Sequence, residues 1–332
     1  MPARLHRRSF CSGFLAACGC ASAPAPATAP APPAPALPFD VVDLMPAFFA
    51  FWDAHGPRAT DAFLREVVAE HPEVYAPNVI GYDDGTALRS RVEAWLPRAQ
   101  VETMRSIHAD FGPNLRGHAR RFVSAFDDFD WDGRVFLMAS IDAFNGASRR
   151  VGDRAALLFG LDVIARTSPP QDLAVLMHHE LFHMYQASGA RVLADALWVE
   201  GLATLASIEL NPGTSDDEAL PQSHLHDPED PQLDAPARRV VWSRDMPEHA
   251  ASMGPGLLAA LDSSAQDDYA TFFLGRASPK LGRRPVRTGY WYGLQVARLV
   301  CAERSVRALA KVPLPQMRPA VRDAMQALVG MA

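Results

Sequence analysis

The sequence predicts an α+β fold that is mainly helical, with a small sheet beside a central helix and a helical C-terminal lobe. Three observations predict this class. Helix-like apolar patterns occupy residues 44–75 and 86–126. Two short apolar runs flanked by Gly and Asp, at 134–141 and 155–164, are typical of strands. Helical patterns then return at Ser168 and dominate the rest of the chain.

Composition limits the classes of protein to consider. The chain has 332 residues, of which 48% are apolar and 21% are charged, so it can form one or two globular domains with a sizeable core. This composition excludes a disordered chain, a collagen-like fibre and a disulfide scaffold. A net charge of −6 argues against nucleic acid as a partner, because phosphate binding requires a clustered basic surface.

The N-terminus reads as a targeting segment. Residues 1–17 are predicted to be a signal peptide, because a basic start precedes a short, weakly apolar stretch. Residues 7–10 (Arg-Arg-Ser-Phe) partly match the twin-arginine export signal. Residues 15–18 (Leu-Ala-Ala-Cys) resemble the bacterial lipobox, in which the Cys, here Cys18, is lipidated and becomes the new N-terminus.

Residues 18–39 are predicted to be a lipidated Cys followed by a tether. Ala21–Pro38 contains eight Ala and seven Pro, and Pro both fixes φ and lacks an N–H. The stretch is therefore expected to be extended and semi-rigid. This layout is typical of a bacterial envelope lipoprotein, anchored through Cys18 and facing the periplasm or the outer membrane. The globular domain is expected to span residues 40–332.

Within the domain, residues 40–133 are predicted to be helices interrupted by Gly and Pro, including a break at Gly112-Pro113. Residues 134–210 are predicted to form the core. Its two apolar runs are expected to pair as antiparallel strands, joined by a polar connection that starts at Asn145-Gly146.

Two strong helices follow in this core. The first is expected from an N-cap at Ser168 to about Ala187, and the second from an N-cap at Asp195 to Leu210. Residues 211–238 are predicted to be an acidic, Pro-rich loop, and residues 239–332 a helical C-terminal lobe.

The first strong helix contains the motif that carries chemistry. Residues 179–183 read His-Glu-Leu-Phe-His, and two His four residues apart project from one helical face, where they can share one metal ion. Neutral imidazoles suit Zn²⁺, and Glu180 can point toward the open coordination position. His178 lies about 140° around the helix from His183, so we predict that it packs or supports the site from outside.

A catalytic zinc requires a third protein ligand and one position left for water. The best candidate is Glu200, on the second helix, which a short connection folds back against the first. Gly201 is expected to let these two helix backbones approach closely. The motif His-Glu-x-x-His followed by Trp-x-x-Glu-Gly-Leu-Ala resembles the gluzincin metallopeptidases. With the late Gly-Tyr-Trp-Tyr-Gly at 289–293, the pattern is similar to that of bacterial families of predicted zinc-dependent peptidases, over about residues 134–300.

The resemblance implies a zincin-like fold and a zinc metallopeptidase that acts on peptide or protein substrates. It implies one Zn²⁺ per chain, held by His179, His183 and Glu200. It also implies that Glu180 is the general base toward a zinc-activated water and later returns the proton.

The resemblance implies two further features of the site. A donor from the C-terminal lobe is expected to stabilise the oxyanion. Tyr290 is the candidate, with Tyr292 as the alternative, and an aromatic packing role for Tyr290 stays open. Thermolysin-type gluzincins place an Asp four residues after the ligand Glu. Thr204 stands there in this chain, so the outer hydrogen bonds are expected to differ.

Two alternatives remain open at this point. One is a non-catalytic, membrane-tethered zinc domain that binds partners. The other is a zinc hydrolase of a non-peptide amide. Glu180 discriminates the first alternative from an enzyme, because a Glu180→Gln variant of a peptidase keeps zinc and loses turnover.

Overall fold

The computed structural model describes residues 37–167, 173–226, 239–274 and 284–331. The predicted signal peptide, most of the tether and the N-cap at Ser168 lie outside these residues. The described chain is mainly helical with a small mixed sheet, so the predicted α+β class is confirmed. Among the described helices, none combines the length and the apolar character needed to cross a bilayer.

The N-terminal region is helical, as predicted, after one short strand that was not predicted. In chain order the elements are β1 (Asp40–Asp43), α1 (Met45–His55), α2 (Thr60–Phe63), α3 (Pro77–Ile80), α4 (Gly85–Trp95) and α5 (Val101–Ala125). A π-helical stretch at 64–68 extends α2, and a 3₁₀ turn at 96–98 extends α4.

The predicted break at Gly112-Pro113 is wrong, because α5 continues through Pro113. Proline removes one hydrogen bond of the helix. The apolar face of α5 compensates for this loss, since Phe111 and Leu115 on either side of Pro113 are buried in the core.

The sheet has four strands in the order β1, β2, β4, β3. The strands that follow α5 are β2 (Arg134–Met138), β3 (Gly146–Val151) and β4 (Arg154–Gly160). Strand β2 pairs in parallel with both β1 and β4, and β3 pairs antiparallel with β4 at the edge of the sheet.

The predicted antiparallel pairing of the two apolar runs is therefore wrong. The segment between them is a strand in its own right, and two reversals of direction make β2 and β4 parallel. Sequence patterns missed β3 because Ser148, Arg149 and Arg150 are exposed polar residues on an edge strand, which gives no apolar alternation.

The second predicted strand is also too long. Strand β4 ends at Gly160, and residues 161–167 form helix α6 (Leu161–Thr167). The carboxylate of Asp162 in its first turn accepts hydrogen bonds from the N–H groups of Ser140 and Asp142. A short apolar run is compatible with either a buried strand or a buried helix, so periodicity alone could not separate the two.

Two helices follow the sheet and match the predicted pair. Helix α7 (Leu173–Tyr185) contains residues 179–183, and α8 (Leu193–Leu210) contains Glu200. The predicted N-cap at Asp195 is wrong, because Asp195 is the third residue of α8. Its side chain reaches back and accepts from the N–H groups of Arg191 and Val192, which is the role of an acid in a capping box.

The remaining elements are small strands and helices. The predicted loop at 211–238 contains a short helix and a strand in its described part, and the C-terminal lobe is helical, as predicted. In chain order these elements are α9 (Asp216–Ala219), β5 (Leu225–His226), α10 (Trp242–Ala259), α11 (Gln266–Phe273), β6 (Arg284–Pro285), α12 (Thr288–Val300), α13 (Val306–Ala310) and α14 (Leu314–Met331). Strands β5 and β6 pair antiparallel.

A glycine contact joins α8 to the C-terminal lobe. The close approach expected at Gly201 exists, but the partner is Gly293 of α12 and not α7. A methyl group at Gly201 would overlap the Gly293 carbonyl, and one at Gly293 would lie 2.6 Å from the carbonyl oxygen of Leu197. These two glycines therefore let α12 pack directly on the helix that carries Glu200.

Gly201→Ala is expected to lower the free energy of unfolding by about 3 kcal/mol, because the two backbones must separate. The matched control is Gly117→Ala, within α5, where a methyl group meets no atom within 4 Å. That change is expected to stabilise the protein by up to about 1 kcal/mol, because Ala is the better helix former. Urea unfolding of both variants measures the two effects. Equal behaviour of the two variants would contradict the glycine contact.

Candidate metal centre

Helix α7 brings two imidazoles together on one face. His179 and His183 lie one turn apart, and their Nε2 atoms are 3.0 Å from each other. Two ring nitrogens that both present lone pairs repel at this distance unless a proton or a cation lies between them. The pair is therefore arranged to share a proton or a metal ion between the two rings.

Helix α8 adds a carboxylate to this pair. Oε2 of Glu200 lies 3.3 Å from Nε2 of His179 and 3.5 Å from Nε2 of His183. The three side chains are 13% to 18% exposed. They are thus recessed below the surface but still in partial contact with solvent.

The spacing of these three atoms fits a tetrahedral metal ion. Ligand atoms about 2.0–2.1 Å from a tetrahedral centre lie about 3.3 Å from each other, and the observed separations are 3.0, 3.3 and 3.5 Å. Within the described ranges, no other three His, Cys, Asp or Glu side chains are grouped this closely. The residues present therefore fit a metal ion with two nitrogen ligands and one oxygen ligand.

The charges in the site are coupled. Burial alone would raise the pKa of Glu200, but the facing imidazoles of His183 and His179 hold that pKa well below its usual range. Burial opposes protonation of His183, yet the carboxylate of Glu200, with a smaller contribution from Glu180, raises the pKa of His183 above its ordinary value. The carboxylate is thus held ionised, ready for a cation.

Side chains outside the group of His179, His183 and Glu200 contact the two imidazole rings and orient them. Oγ1 of Thr204 donates to the carbonyl of Glu200 at 2.8 Å and lies 3.5 Å from Nδ1 of His179. Thr204 therefore lies beside His179 at the sequence position where thermolysin-type enzymes have an Asp.

The side-chain amide of Gln186 lies 2.7 Å from Nδ1 of His183 and donates to the carbonyl of Val199 at 3.0 Å. Sequence reasoning missed Gln186, although its position three residues after His183 on the same helix could have indicated it.

Glu180 faces the edge strand of the sheet. A methyl group at Gly146, the first residue of β3, would lie 2.9 Å from Oε1 of Glu180. The absence of a side chain at Gly146 therefore leaves space for this carboxylate between α7 and β3. Asn145-Gly146, predicted as the start of a polar connection, in fact brings an edge strand to the site.

Tyr290 lies near the three-ligand group, and Tyr292 does not reach it. Burial, and after it the charge of Glu200, raise the pKa of Tyr290 well above its ordinary value. The phenol of Tyr290 is therefore protonated at neutral pH. Tyr292 is almost fully buried, and its hydroxyl donates to the carbonyl of Ala250 at 2.9 Å, so it has a packing role.

His178 is a buried core residue, as its position around the helix predicts. Its Nε2 donates to the carbonyl of His118 at 3.0 Å, and its Nδ1 accepts from the amide of Asn211 at 2.9 Å. Burial lowers the pKa of His178 to about 4, against an ordinary value of 6.5. The ring is therefore neutral in the folded protein.

The buried His178 is expected to make the protein less stable in acid. Between pH 6.5 and pH 4 the unfolded chain takes up a proton at this position and the folded chain does not, so stability falls as the pH falls. The loss over this range is about 3 kcal/mol. Urea unfolding at pH 7 and pH 4.5, for the wild type and His178→Gln, measures it. Parallel pH profiles for the two proteins would contradict this assignment.

Comparisons with protein-family models, with curated proteins and with solved structures gave no match to this chain. The functional conclusions below therefore depend on the geometry of the site and on the sequence motifs.

Proposed function

We propose that this protein is a zinc-dependent metallopeptidase with a zincin-like, gluzincin-type catalytic domain. The observation that supports this most is the convergence of His179, His183 and Glu200 from two packed helices, with Glu180 beside the same group. A metal-binding group with an adjacent carboxylate is the minimal arrangement for metal-assisted hydrolysis.

Zinc is the metal that best matches the ligands. Two imidazole nitrogens and one carboxylate oxygen at tetrahedral spacing, partly exposed to solvent, are typical of catalytic zinc sites. When bound, Zn²⁺ lowers the pKa of a coordinated water toward neutrality and polarises a carbonyl group. We expect one Zn²⁺ per chain.

The role proposed for Glu180 follows from its position. Its carboxylate lies between α7 and β3, next to the ligands but outside the ligand group itself. It can accept a proton from an attacking water and then donate that proton to the departing amine. Gly146 leaves the space that a carboxylate needs for this movement.

Tyr290 is proposed as the hydrogen-bond donor to the oxyanion. Its phenol is protonated at neutral pH, and burial together with the charges of Glu200 and Glu180 raises its pKa further above the ordinary value. A neutral phenol can donate a hydrogen bond where negative charge develops. This role differs from that of Tyr292, whose hydroxyl is already committed to Ala250.

Strand β3 is the proposed docking edge for an extended substrate. The N–H of Gly160 bonds the carbonyl of Asn145, and ladder bonds alternate along an antiparallel pair, so Gly146 and Ser148 direct their backbone groups away from β4. A peptide can add to such an edge as a further strand. That peptide would pass directly over Glu180.

Anchoring in the bacterial cell envelope is part of this proposal. The basic start, the lipobox-like residues 15–18 and the Ala/Pro tether support lipidation at Cys18. A Cys18→Ala variant of the full chain is expected in the aqueous fraction after detergent partitioning, whereas the wild type enters the detergent phase. Equal partitioning would contradict the anchor.

The test of activity uses a mixture of peptides of diverse sequence and mass spectrometry of the products. The protein loaded with zinc is expected to cleave internal or terminal peptide bonds. The same protein, stripped of metal with a chelator, is expected to lose this activity and to recover it when Zn²⁺ is restored. Zinc binding without cleavage of any peptide would favour the non-catalytic binding domain. A parallel assay with non-peptide amides tests the other alternative, which cleavage of these amides and of no peptide would favour.

A further inference from the structure

A cavity lies one helical turn from the proposed metal ligand Glu200. Its volume is about 350 Å³, which is the size of a small ligand site. It lies between the start of α8 and the segment that leads into α11. The lining residues that the argument uses are Arg191, Ala196, Ser264, Gln266 and Tyr269.

Two residues connect this cavity to the metal centre. Ala196 lies four residues before Glu200 on α8, so both occupy the same helical face about one turn apart. Tyr269 lines the cavity from the opposite wall, and the charge of Glu200 adds to burial in raising the pKa of its phenol. The ring of Tyr269 stacks on Phe273, which in turn contacts Tyr290 at 5.4 Å between ring centres.

Among the described residues that line the cavity, one carries a charge. This residue is Arg191, whose side chain is exposed and pairs with no described carboxylate. Two of the acids close to this lining along the chain, Asp195 and Asp268, already accept hydrogen bonds. Asp195 bonds the guanidinium of Arg318 and the backbone N–H groups of Arg191 and Val192. Asp268 accepts a hydrogen bond from Ser263.

The other polar groups of the cavity are suited to an anionic guest. Ser264, Gln266 and Tyr269 provide two hydroxyls and an amide. Hydroxyl and amide N–H groups donate hydrogen bonds to carboxylate oxygens, and a guanidinium binds a carboxylate with two parallel bonds. Within the described part of the chain, no acidic residue lines the cavity and competes for these donors.

We propose that this cavity is a substrate subsite that binds a carboxylate of the peptide, with Arg191 as its counter-ion. The proposal rests on the proposed peptidase function and adds a substrate class to it, namely acidic peptides. The carboxylate has two sources, an Asp or Glu side chain or the C-terminal carboxylate of the substrate. Arg191 is a specificity residue in this proposal and takes no part in bond cleavage.

The test compares matched peptides that differ only by Glu or Gln at one position, moved along the peptide. A second pair carries a free or an amidated C-terminus. The wild type is expected to prefer the carboxylate form of one pair by about tenfold in kcat/KM, chiefly through KM. A preference within the Glu/Gln pair identifies a side-chain subsite, and a preference for the free C-terminus identifies a terminal carboxylate subsite.

Variants then assign the preference to Arg191. Arg191→Gln is expected to remove it, Arg191→Lys to retain most of it, and Arg191→Glu to reverse it in favour of a Lys-containing peptide. The matched control is Arg58→Glu, which changes the net charge equally at another exposed arginine, in the N-terminal helical region. That control is expected to keep the wild-type preference.

Binding is measured separately from turnover, so that a failure of the subsite proposal can be distinguished from a failure of the peptidase proposal. Calorimetry with the Glu180→Gln protein is expected to give tighter binding of the carboxylate peptide, and the difference is expected to disappear in the Glu180→Gln/Arg191→Gln protein. Turnover without any carboxylate preference would overturn the subsite and leave the peptidase intact. Arg191-dependent binding without turnover would support the subsite and overturn the peptidase. Equal binding of both peptides to the Glu180→Gln protein would overturn the subsite.

Discussion

Glu180→Gln is expected to lower peptide hydrolysis by about 10³-fold or more while zinc content stays at one ion per chain. A positioned general base contributes about 10²- to 10⁴-fold to such reactions. Gln has the same shape as Glu but accepts no proton at neutral pH. Because Glu180 is outside the group of proposed metal ligands, its replacement is not expected to weaken metal binding.

The structure provides a sharp control for this loss. Glu209→Gln changes the same residue type on α8, nine residues and two and a half turns from Glu200. Activity and zinc content are both expected to equal those of the wild type in this control. Activity in Glu180→Gln comparable with the wild type would contradict a base role for Glu180. Loss of zinc in that variant would show that Glu180 is itself a ligand.

The candidate metal-binding group could be predicted from the sequence because its geometry depends mainly on residues that are close in the chain. A spacing of four residues on a helix places His179 and His183 on one face whatever the rest of the fold is. To predict Glu200 as the third ligand, only one further assumption was needed, namely that a short connection folds the next helix back onto the first. In the folded chain these three residues lie together.

Features that depend on contacts between distant segments of the chain could not be predicted from local sequence patterns. The edge strand β3 is polar, so its role beside Glu180 follows only from its pairing with β4. The partner of Gly201 is Gly293, which is 92 residues away in the chain, and no local pattern identifies it. Tyr290 and Tyr292 are two residues apart in one aromatic run, and only packing of α12 separates the residue near the metal centre from the one bonded to Ala250.

Glu200→Ala is expected to weaken zinc binding by at least about 10²-fold, because it removes one of the three proposed ligands and the only negative charge among them. Competition with a chromophoric chelator measures this affinity. Glu200→Gln is the informative partner, because it keeps an oxygen at the same position but removes the charge. It is expected to bind zinc more weakly than the wild type and more tightly than Glu200→Ala. Glu209→Ala is the matched control and is expected to bind zinc as the wild type does.

The zinc affinity measured in this way is expected to depend on pH. Glu200 raises the pKa of His183 in the metal-free site, and a protonated imidazole is not a ligand. Protons therefore compete with zinc, and the apparent affinity of the wild type is expected to fall as the pH drops through this raised pKa, which lies above the ordinary 6.5. In Glu200→Ala the carboxylate is gone, so the proton competition is expected to shift to lower pH while the affinity at high pH stays weak. Wild-type zinc affinity and an unchanged pH profile in Glu200→Ala would show that Glu200 is neither a ligand nor the partner of His183. A third protein ligand would then have to be another residue.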